Sequence, residues 1–392
     1  MIKRMVQDFQ KKGLLTPEEI FAISGVTKKG GMSRGHEFVV SKPYMYPLFK
    51  IHKLSEDDIL MKKIPPTRMV TSGVGGPTYR LGVFLDMILK PVVQQYCDQE
   101  LIKDSADFLI ELKKMGNDGR AKKMKMIGTL DVDALYPSIS LDLAINALKD
   151  ALLSVTGYSD EQMQMIIQLT EFCIKNSAVH YRGQWFKLLL GIPTGGPESS
   201  GIANIVVYFT LEKILLVNSK ILPLNKMLSR KRFLDDIFFG WEGTARQFSI
   251  FKTVLNEIGS EHGITFKGEV GKSVDFLDTT VNLHPNGSFT TKMFVKPTDA
   301  TRYLHRRSDH SPHTFHSIPF SQFRRAVILC SNPEEKMQCI DYIAQKLRNS
   351  GFLTNEVENA KQKALKLDRD EILNVNKEKT ATEASTDKQL IF

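Results

Sequence analysis

The feature that most restricts how this chain can fold is the pair Asp235-Asp236, set between Phe233-Leu234 on one side and Ile237-Phe238-Phe239 on the other. Runs this apolar and aromatic, at 231–234 and 237–241, predict two short strands buried in a core, with the acids in the turn that joins them. Carboxylates that emerge from the end of a hydrophobic hairpin are costly without compensation, and a bound cation is the natural one. Sequence context separates this pair from Asp57-Asp58, which follows Ser55-Glu56 and predicts only an exposed charged loop.

Asp131 has the same character. It stands near the end of an apolar run at 126–132 that reads as a strand, and Ala134-Leu-Tyr-Pro-Ser-Ile139 follows instead of solvent-seeking residues. Two acids on adjacent strand ends can hold two divalent ions about 3.5–4 Å apart, one lowering the pKa of an attacking hydroxyl and one stabilising the leaving group. Hard oxygen ligands with retained water select magnesium over zinc, with manganese as its substitute.

The surrounding pattern is α+β. Thr16-Pro-Glu-Glu19 is a capping box with proline at the first helical position and predicts a helix to about residue 23. Residues 42–80 read as mixed strand and loop carrying Lys50, Lys53, Lys62, Lys63 and Arg68, and residues 111–125 as a second basic loop. Ser140 starts a helix with apolar positions Leu141, Ile145, Leu148 and Leu152, and Ser159 with Gln162 caps another to about residue 175. A tight hairpin at 179–188 is followed by a glycine-proline loop at 191–197, which opens a helix to about residue 217. A helix at 244–258 and a hairpin at 276–295, closed by Asn286-Gly287, come next. Leu353, Val357, Ala360, Ala364 and Leu367 suggest a heptad-like helix, and from residue 377 the chain is polar enough for a disordered tail. This order predicts an antiparallel sheet covered on one side.

At 392 residues two or three subdomains are expected, and the net charge of +9 points to a polyanionic partner, either nucleic acid or an anionic membrane. The most hydrophobic stretch, 205–217, is broken by Glu212 and Lys213 and is too short to span a bilayer, so membrane insertion is not expected. The start lacks the apolar core of a secretory signal, and the four cysteines form no close-spaced framework. Both point to a reducing intracellular compartment, nucleus or cytoplasm. An organelle address is the lesser alternative, because Asp8, Glu18 and Glu19 follow the basic start at once.

Three segments, Thr129-Leu-Asp-Val-Asp-Ala-Leu-Tyr-Pro-Ser-Ile139, Gly191-Ile-Pro-Thr-Gly-Gly-Pro-Glu-Ser-Ser-Gly-Ile-Ala-Asn-Ile205 and Arg232-Phe-Leu-Asp-Asp-Ile-Phe238, resemble the three palm motifs of reverse transcriptases in order and spacing. Leu48-Phe-Lys-Ile-His-Lys53 and Pro66-Thr-Arg-Met-Val70 upstream resemble the Penelope-like retroelement branch, a relative of telomerase reverse transcriptase. So do Lys296-Pro-Thr-Asp299, Arg302-Tyr-Leu-His305 and Ser317-Ile-Pro-Phe-Ser-Gln322 downstream. The resemblance covers residues 42–333. It implies a right-hand polymerase with fingers at 42–125, a palm at 126–290 containing inserted fingers helices and hairpin, and a basic thumb at 291–352. An N-terminal helical extension (1–41) and a charged helix and tail (353–392) flank these. The implied activity is RNA-directed DNA synthesis: a DNA primer on an RNA template, or an RNA–DNA duplex, is extended with dNTPs by two magnesium ions. Oligomeric state is left open.

Carried over residue by residue, the resemblance makes Asp131 and Asp235 metal ligands, with Asp236 an acidic neighbour. Tyr136 falls at the steric gate against a ribose 2′-hydroxyl. Arg68, with Lys50 or Lys53, would hold the incoming triphosphate, as a guanidinium grips phosphate oxygens bidentately. Thr194 and Gly195 lie in the loop that lets nucleotide approach the backbone; Thr194 stands where retroviral enzymes carry glutamine, and Glu198 where an apolar residue is common. Lys272, with Lys267 as competitor, would protonate departing pyrophosphate, and Phe276-Leu277-Asp278 resembles the primer grip. Between residues 291 and 326, Lys292, Lys296, Arg302, Arg306, Arg307, Arg324 and Arg325 stand against Asp299 and Asp309, a local net of +5 that reads as a track along a duplex backbone. His305, His310, His313 and His316 are spaced too irregularly for zinc and read as phosphate or sugar contacts. Two alternatives stay open: a catalytically silent fold that scaffolds RNA, and an RNA-templated RNA polymerase.

Overall fold

The computed structural model describes residues 2–24, 41–49, 54, 56–97, 100–217, 224–296 and 303–374. Among them the strands are, in chain order, β1 (Tyr44–Phe49), β2 (Thr67–Ser72), β3 (Met126–Val132), β4 (Ala178–Tyr181), β5 (Gln184–Lys187), β6 (Met227–Phe233), β7 (Asp236–Trp241), β8 (Phe266–Gly271), β9 (Ser273–Phe276), β10 (Thr279–Leu283) and β11 (Phe289–Met293). The chain divides into two compact units, each assembled from three segments. One takes Met1–Gln99, Val132–Ile221 and Lys252–Lys267, and the other takes Glu100–Asp131, Leu222–Phe251 and Gly268–Phe392.

The first unit is a helical core with a sheet. Helices Tyr79–Cys97, Leu141–Ser154, Asp160–Lys175 and Ser199–Val207 pack together. Ser140 and Ser159 cap the second and third, as expected, by accepting from the Leu143 and Gln162 amides. The stripe buried by Leu141–Ser154 is Leu143, Ala144, Ala147, Leu148, Ala151 and Leu152. Leu148 and Leu152 are buried as expected, whereas Leu141 and Ile145 are half-buried and the alanines take their place in the stripe. Thr16 and Glu19 form the reciprocal cap of helix Pro17–Ser24. The helix after the glycine-proline loop widens to a π turn at Tyr208–Glu212 before resuming at Lys213–Val217. Its sheet has the order β2-β1-β4-β5, with β1 parallel to β4.

The second unit holds the sheet β6-β7-β3-β8, to which β8 contributes Gly268–Gly271. The antiparallel ladder between β3 and β7 runs from Met126 opposite Trp241 to Asp131 opposite Asp236. This sheet is covered on both faces, not one. Phe238 packs against Phe108 and Phe276 with ring centroids 4.9 and 5.7 Å away. Its neighbours Phe239 and Trp241 point the other way and meet Phe248, with Trp241 also meeting Phe251. Ile237, Phe238, Phe239 and Trp241 are all fully buried, the pattern of a strand enclosed on both sides. Gly128 makes this possible, because a Cβ there would lie 2.4 Å from the Phe239 ring of its cross-strand partner.

The basic loop expected at 111–125 is instead the end of helix Ser105–Asn117 and a 3-10 turn at Arg120–Lys123. Phe108, Leu109, Leu112 and Met115 recur at helical spacing and are buried, while Lys113 and Lys114 lie on the solvent side. Asp57, expected in a loop, lies in the short helix Glu56–Leu60, and Asp58 pairs with Lys63 at 2.6 Å. The expected 276–295 hairpin resolves into a meander of β9, β10 and β11. Helices Pro312–Leu329, Pro333–Asn349 and Thr354–Leu365 share its core through Phe315, Phe323, Ile340, Leu347 and Val357. No helix among the described residues is long and apolar enough to cross a membrane.

Candidate active site

The hairpin of β6 and β7 reverses through Leu234 and Asp235. Leu234 adopts a left-handed conformation (φ 54°), and register places Phe233 opposite Asp236. Residues directly opposed in an antiparallel pair project from the same face. Asp131 and Asp236 therefore crown the face that buries Phe238 and Ile127 below them. All three acids lie in the second unit. Asp131 is exposed, and Asp235 and Asp236 are half-buried.

Burial, followed by the charges of Asp235 and Asp131, pushes the Asp236 carboxyl up to about 6, while Lys296 acts in the opposite direction. Among the described residues no group of three or more His, Cys, Asp or Glu side chains is drawn together closely enough to hold a metal ion. The donor set at this turn is carboxylate oxygen alone, and the charges of Asp235 and Asp131 both act to raise the Asp236 carboxyl. Both properties fit a hard divalent cation such as magnesium, which retains waters and draws further ligands from substrate phosphates instead of from an all-protein cage.

This has a stability consequence. Between 3.8 and about 6 the folded state holds a proton on Asp236 that the unfolded state has lost. Its contribution to stability is therefore full below the lower value and is lost as pH rises through the upper one. Asp236→Asn should raise the melting temperature of the metal-free protein by about one to two degrees at pH 7, and the gain should vanish below pH 4. Partial exposure holds the effect to about 1 kcal/mol. Thermal melts of both proteins across pH 3.5–8 in chelator check this, and an unchanged difference across that range would contradict it.

The first unit carries Arg68, Tyr136, Thr194 and Gly195. Thr194 Oγ1 accepts the Thr71 amide at 3.0 Å, and Gly195 bridges Ser72, so the glycine-proline loop is stitched to β2 three residues beyond Arg68. A Cβ on Gly195 would lie 2.1 Å from the Thr71 carbonyl oxygen, which reserves the position for glycine. The Tyr136 carbonyl accepts the Ile192 amide at 2.9 Å, which brings the short helix Leu135–Ser138 to the same loop. Arg68 is exposed on β2 opposite Leu48. Glu198 is buried, accepts the Cys173 thiol at 3.4 Å, and is pushed up chiefly by burial. Lys50, Lys53 and Arg302 lie outside the described residues.

The remaining cations have varied settings. Lys272 is exposed between β8 and β9, and Lys267 pairs with Asp133 at 2.6 Å. Phe276 is buried, and Leu277 is left-handed with φ 51°. Arg306 pairs with Glu356 at 3.0 Å and stacks on Phe315, Arg325 pairs with Asp278 at 2.8 Å, and Lys292 lies 3.9 Å from Glu335. Arg307 and Lys296 are exposed, and Arg324 is half-buried. Sequence reasoning missed Thr71, whose partner is 123 residues away, and the fully buried side chain of Arg232. The one available signal for Arg232 was a guanidinium placed directly before Phe233-Leu234.

The telomerase of Candida albicans, solved in complex with a TWJ fragment of telomeric RNA, superposes with a TM-score of 0.50 at 12% identity, over 82% of this chain and 60% of that one. The BmCPV RNA-dependent RNA polymerase in its quiescent state superposes with the same TM-score and identity, over 85% of this chain and 27% of that one. The chain has a polymerase-related fold. It spans about three-fifths of the telomerase chain and about a quarter of the viral polymerase. Residues 302–362 match a family model described as an animal helix-turn-helix domain, the region of the three helices from Pro312 to Leu365. No curated protein matches the chain.

Proposed function

We propose that the chain is an RNA-directed DNA polymerase of the Penelope-like retroelement branch, extending a primer on an RNA template with dNTPs. The observation that carries this is the ladder that sets Asp131 opposite Asp236, beside Asp235, at one end of the β3–β7 pair whose strand β7 is otherwise apolar and buried. In this reading the β6-β7-β3-β8 sheet is the palm, the β1–β2 region the fingers, and residues 291–352 the thumb.

Asp131, Asp235 and Asp236 would hold magnesium, which when bound supplies charge neutralisation at the attacking hydroxyl and at the leaving pyrophosphate. The chain's own residues do the rest. Arg68, exposed on β2, offers a planar fork to the triphosphate. Gly195 leaves its backbone bare for close approach of the nucleotide, with Thr194 fixed by its bond to Thr71. Tyr136 would serve as the filter against a ribose 2′-hydroxyl. Arg307, Arg324 and Lys296 contribute positive charge toward the duplex backbone, whereas the pairing of Arg306 and Arg325 with acids gives those two a second, structural task.

The test is a primer-extension matrix: purified chain and magnesium, RNA or DNA template, and dNTPs or rNTPs in separate reactions. The expected result is DNA synthesis on RNA. Equal use of both sugars would favour an RNA-templated RNA polymerase. Tight RNA binding with no incorporation in any reaction would replace catalysis with a scaffold role.

A further inference from the structure

Arg232 is fully buried, an uncommon place for a guanidinium. Its main chain is clamped from two sides: it lies opposite Ile237 in the ladder, its amide donates to the Glu100 carbonyl at 2.7 Å, and its carbonyl accepts the Ile102 amide at 2.9 Å. From this fixed base Nη1 donates to the Leu234 carbonyl at 3.1 Å. Leu234 is the left-handed residue of the acid turn, a conformation that a leucine adopts at a cost.

The chain contains its own control. Phe276-Leu277-Asp278 repeats the tripeptide Phe233-Leu234-Asp235, joins β9 to β10 as the other joins β6 to β7, and again sets its leucine left-handed. There the preceding residue is Asp275, which accepts from Thr280 Oγ1, while Thr279 Oγ1 donates back to the Phe276 carbonyl. That turn forms without a guanidinium before it, so Arg232 is not required to make the turn. The two differ in charge. Asp278 is met by Arg325 at 2.8 Å, whereas Asp236 pairs with Asp131 in the ladder and feels the like charges of Asp131 and Asp235, a repulsion that favours opening of the turn.

We propose that Arg232 is a positioning residue: its bond to the Leu234 carbonyl holds the acid turn closed, so that Asp235 and Asp236 remain beside Asp131 before any cation arrives. This rests on the reading of those acids as a metal site, and the test separates the two. Arg232→Met and Arg232→Lys are made in the full chain. Three quantities are measured: melting temperature, hydrogen exchange of peptides covering residues 233–237 and 276–279, and Mn2+ binding followed by electron paramagnetic resonance.

In Arg232→Met, exchange at 233–237 should accelerate at least about tenfold while that at 276–279 stays as in wild type. Mn2+ affinity should fall at least about tenfold. Arg232→Lys, which keeps the charge and an N–H donor group but not the planar fork, should recover part of both. Unchanged exchange at 233–237, or wild-type Mn2+ affinity in folded Arg232→Met, would overturn the proposal. Should Arg232→Met not fold, Arg232→Lys decides by the same two readouts, with intermediate values supporting and wild-type values overturning. A wild-type chain that binds no Mn2+ would remove the metal reading, while the comparison of the two turns would still decide whether Arg232 holds this one.

Discussion

Asp235→Asn should lower primer extension at least about a thousandfold while the chain stays folded and retains primer–template affinity. The substitution preserves side-chain volume and removes one charge at a turn that is half-buried. The packing below it, Phe238 against Phe108 and Phe276, is untouched. Metal-assisted stabilisation of transition-state charge is worth several kcal/mol, and each factor of ten in rate corresponds to about 1.4 kcal/mol. Single-turnover extension, circular-dichroism melts and primer-binding titrations measure the three quantities. Extension within tenfold of wild type would remove Asp235 from the catalytic set.

Tyr136→Ala should reduce discrimination against rNTPs by about a hundredfold and leave dNTP use within a few-fold, since steric exclusion of a small group is worth a factor of this order. The expectation is specific to the ring because the backbone there is independently held. The Tyr136 carbonyl accepts the Ile192 amide, and Gly191, left-handed at φ 83°, packs on the Tyr136 and Pro137 main chain. Truncating the side chain therefore empties space beside the loop without moving it. Competition between dNTP and rNTP in single-nucleotide incorporation gives the ratio, and an unchanged ratio would assign the sugar filter elsewhere.

Much of the second unit was legible because its signals are local. The run 126–132 is β3 residue for residue; the aromatic runs flanking Asp235-Asp236 fall in β6 and β7, but β6 begins already at Met227, and Asp236, expected in the turn, pairs with Phe233 as the first residue of β7. A continuous apolar run and a charged turn need no knowledge of distant chain. The helix through 111–117 was hidden because its lysines fall on the exposed face and dominate the composition, while the four apolar positions that define it begin upstream at Phe108. The second covered face of the sheet was also missed, since a continuous apolar strand reads alike whether one layer or two enclose it. The Thr71–Thr194 bond and the reach of Arg232 to Leu234 depend on tertiary placement, which no periodicity encodes.

The way each unit is assembled from three separated stretches of chain has a consequence during synthesis. Neither can be completed by an N-terminal piece: the first lacks a segment until Lys267 has been made, and the second takes all of its last segment from beyond Gly268. On the ribosome the early helices must wait, partly unburied, for the 30 residues between Ile221 and Lys252 that belong to the other unit. Shortened versions ending between residues 100 and 250 would accordingly expose apolar surface and aggregate, and cuts placed by linear motif boundaries would split both cores at once.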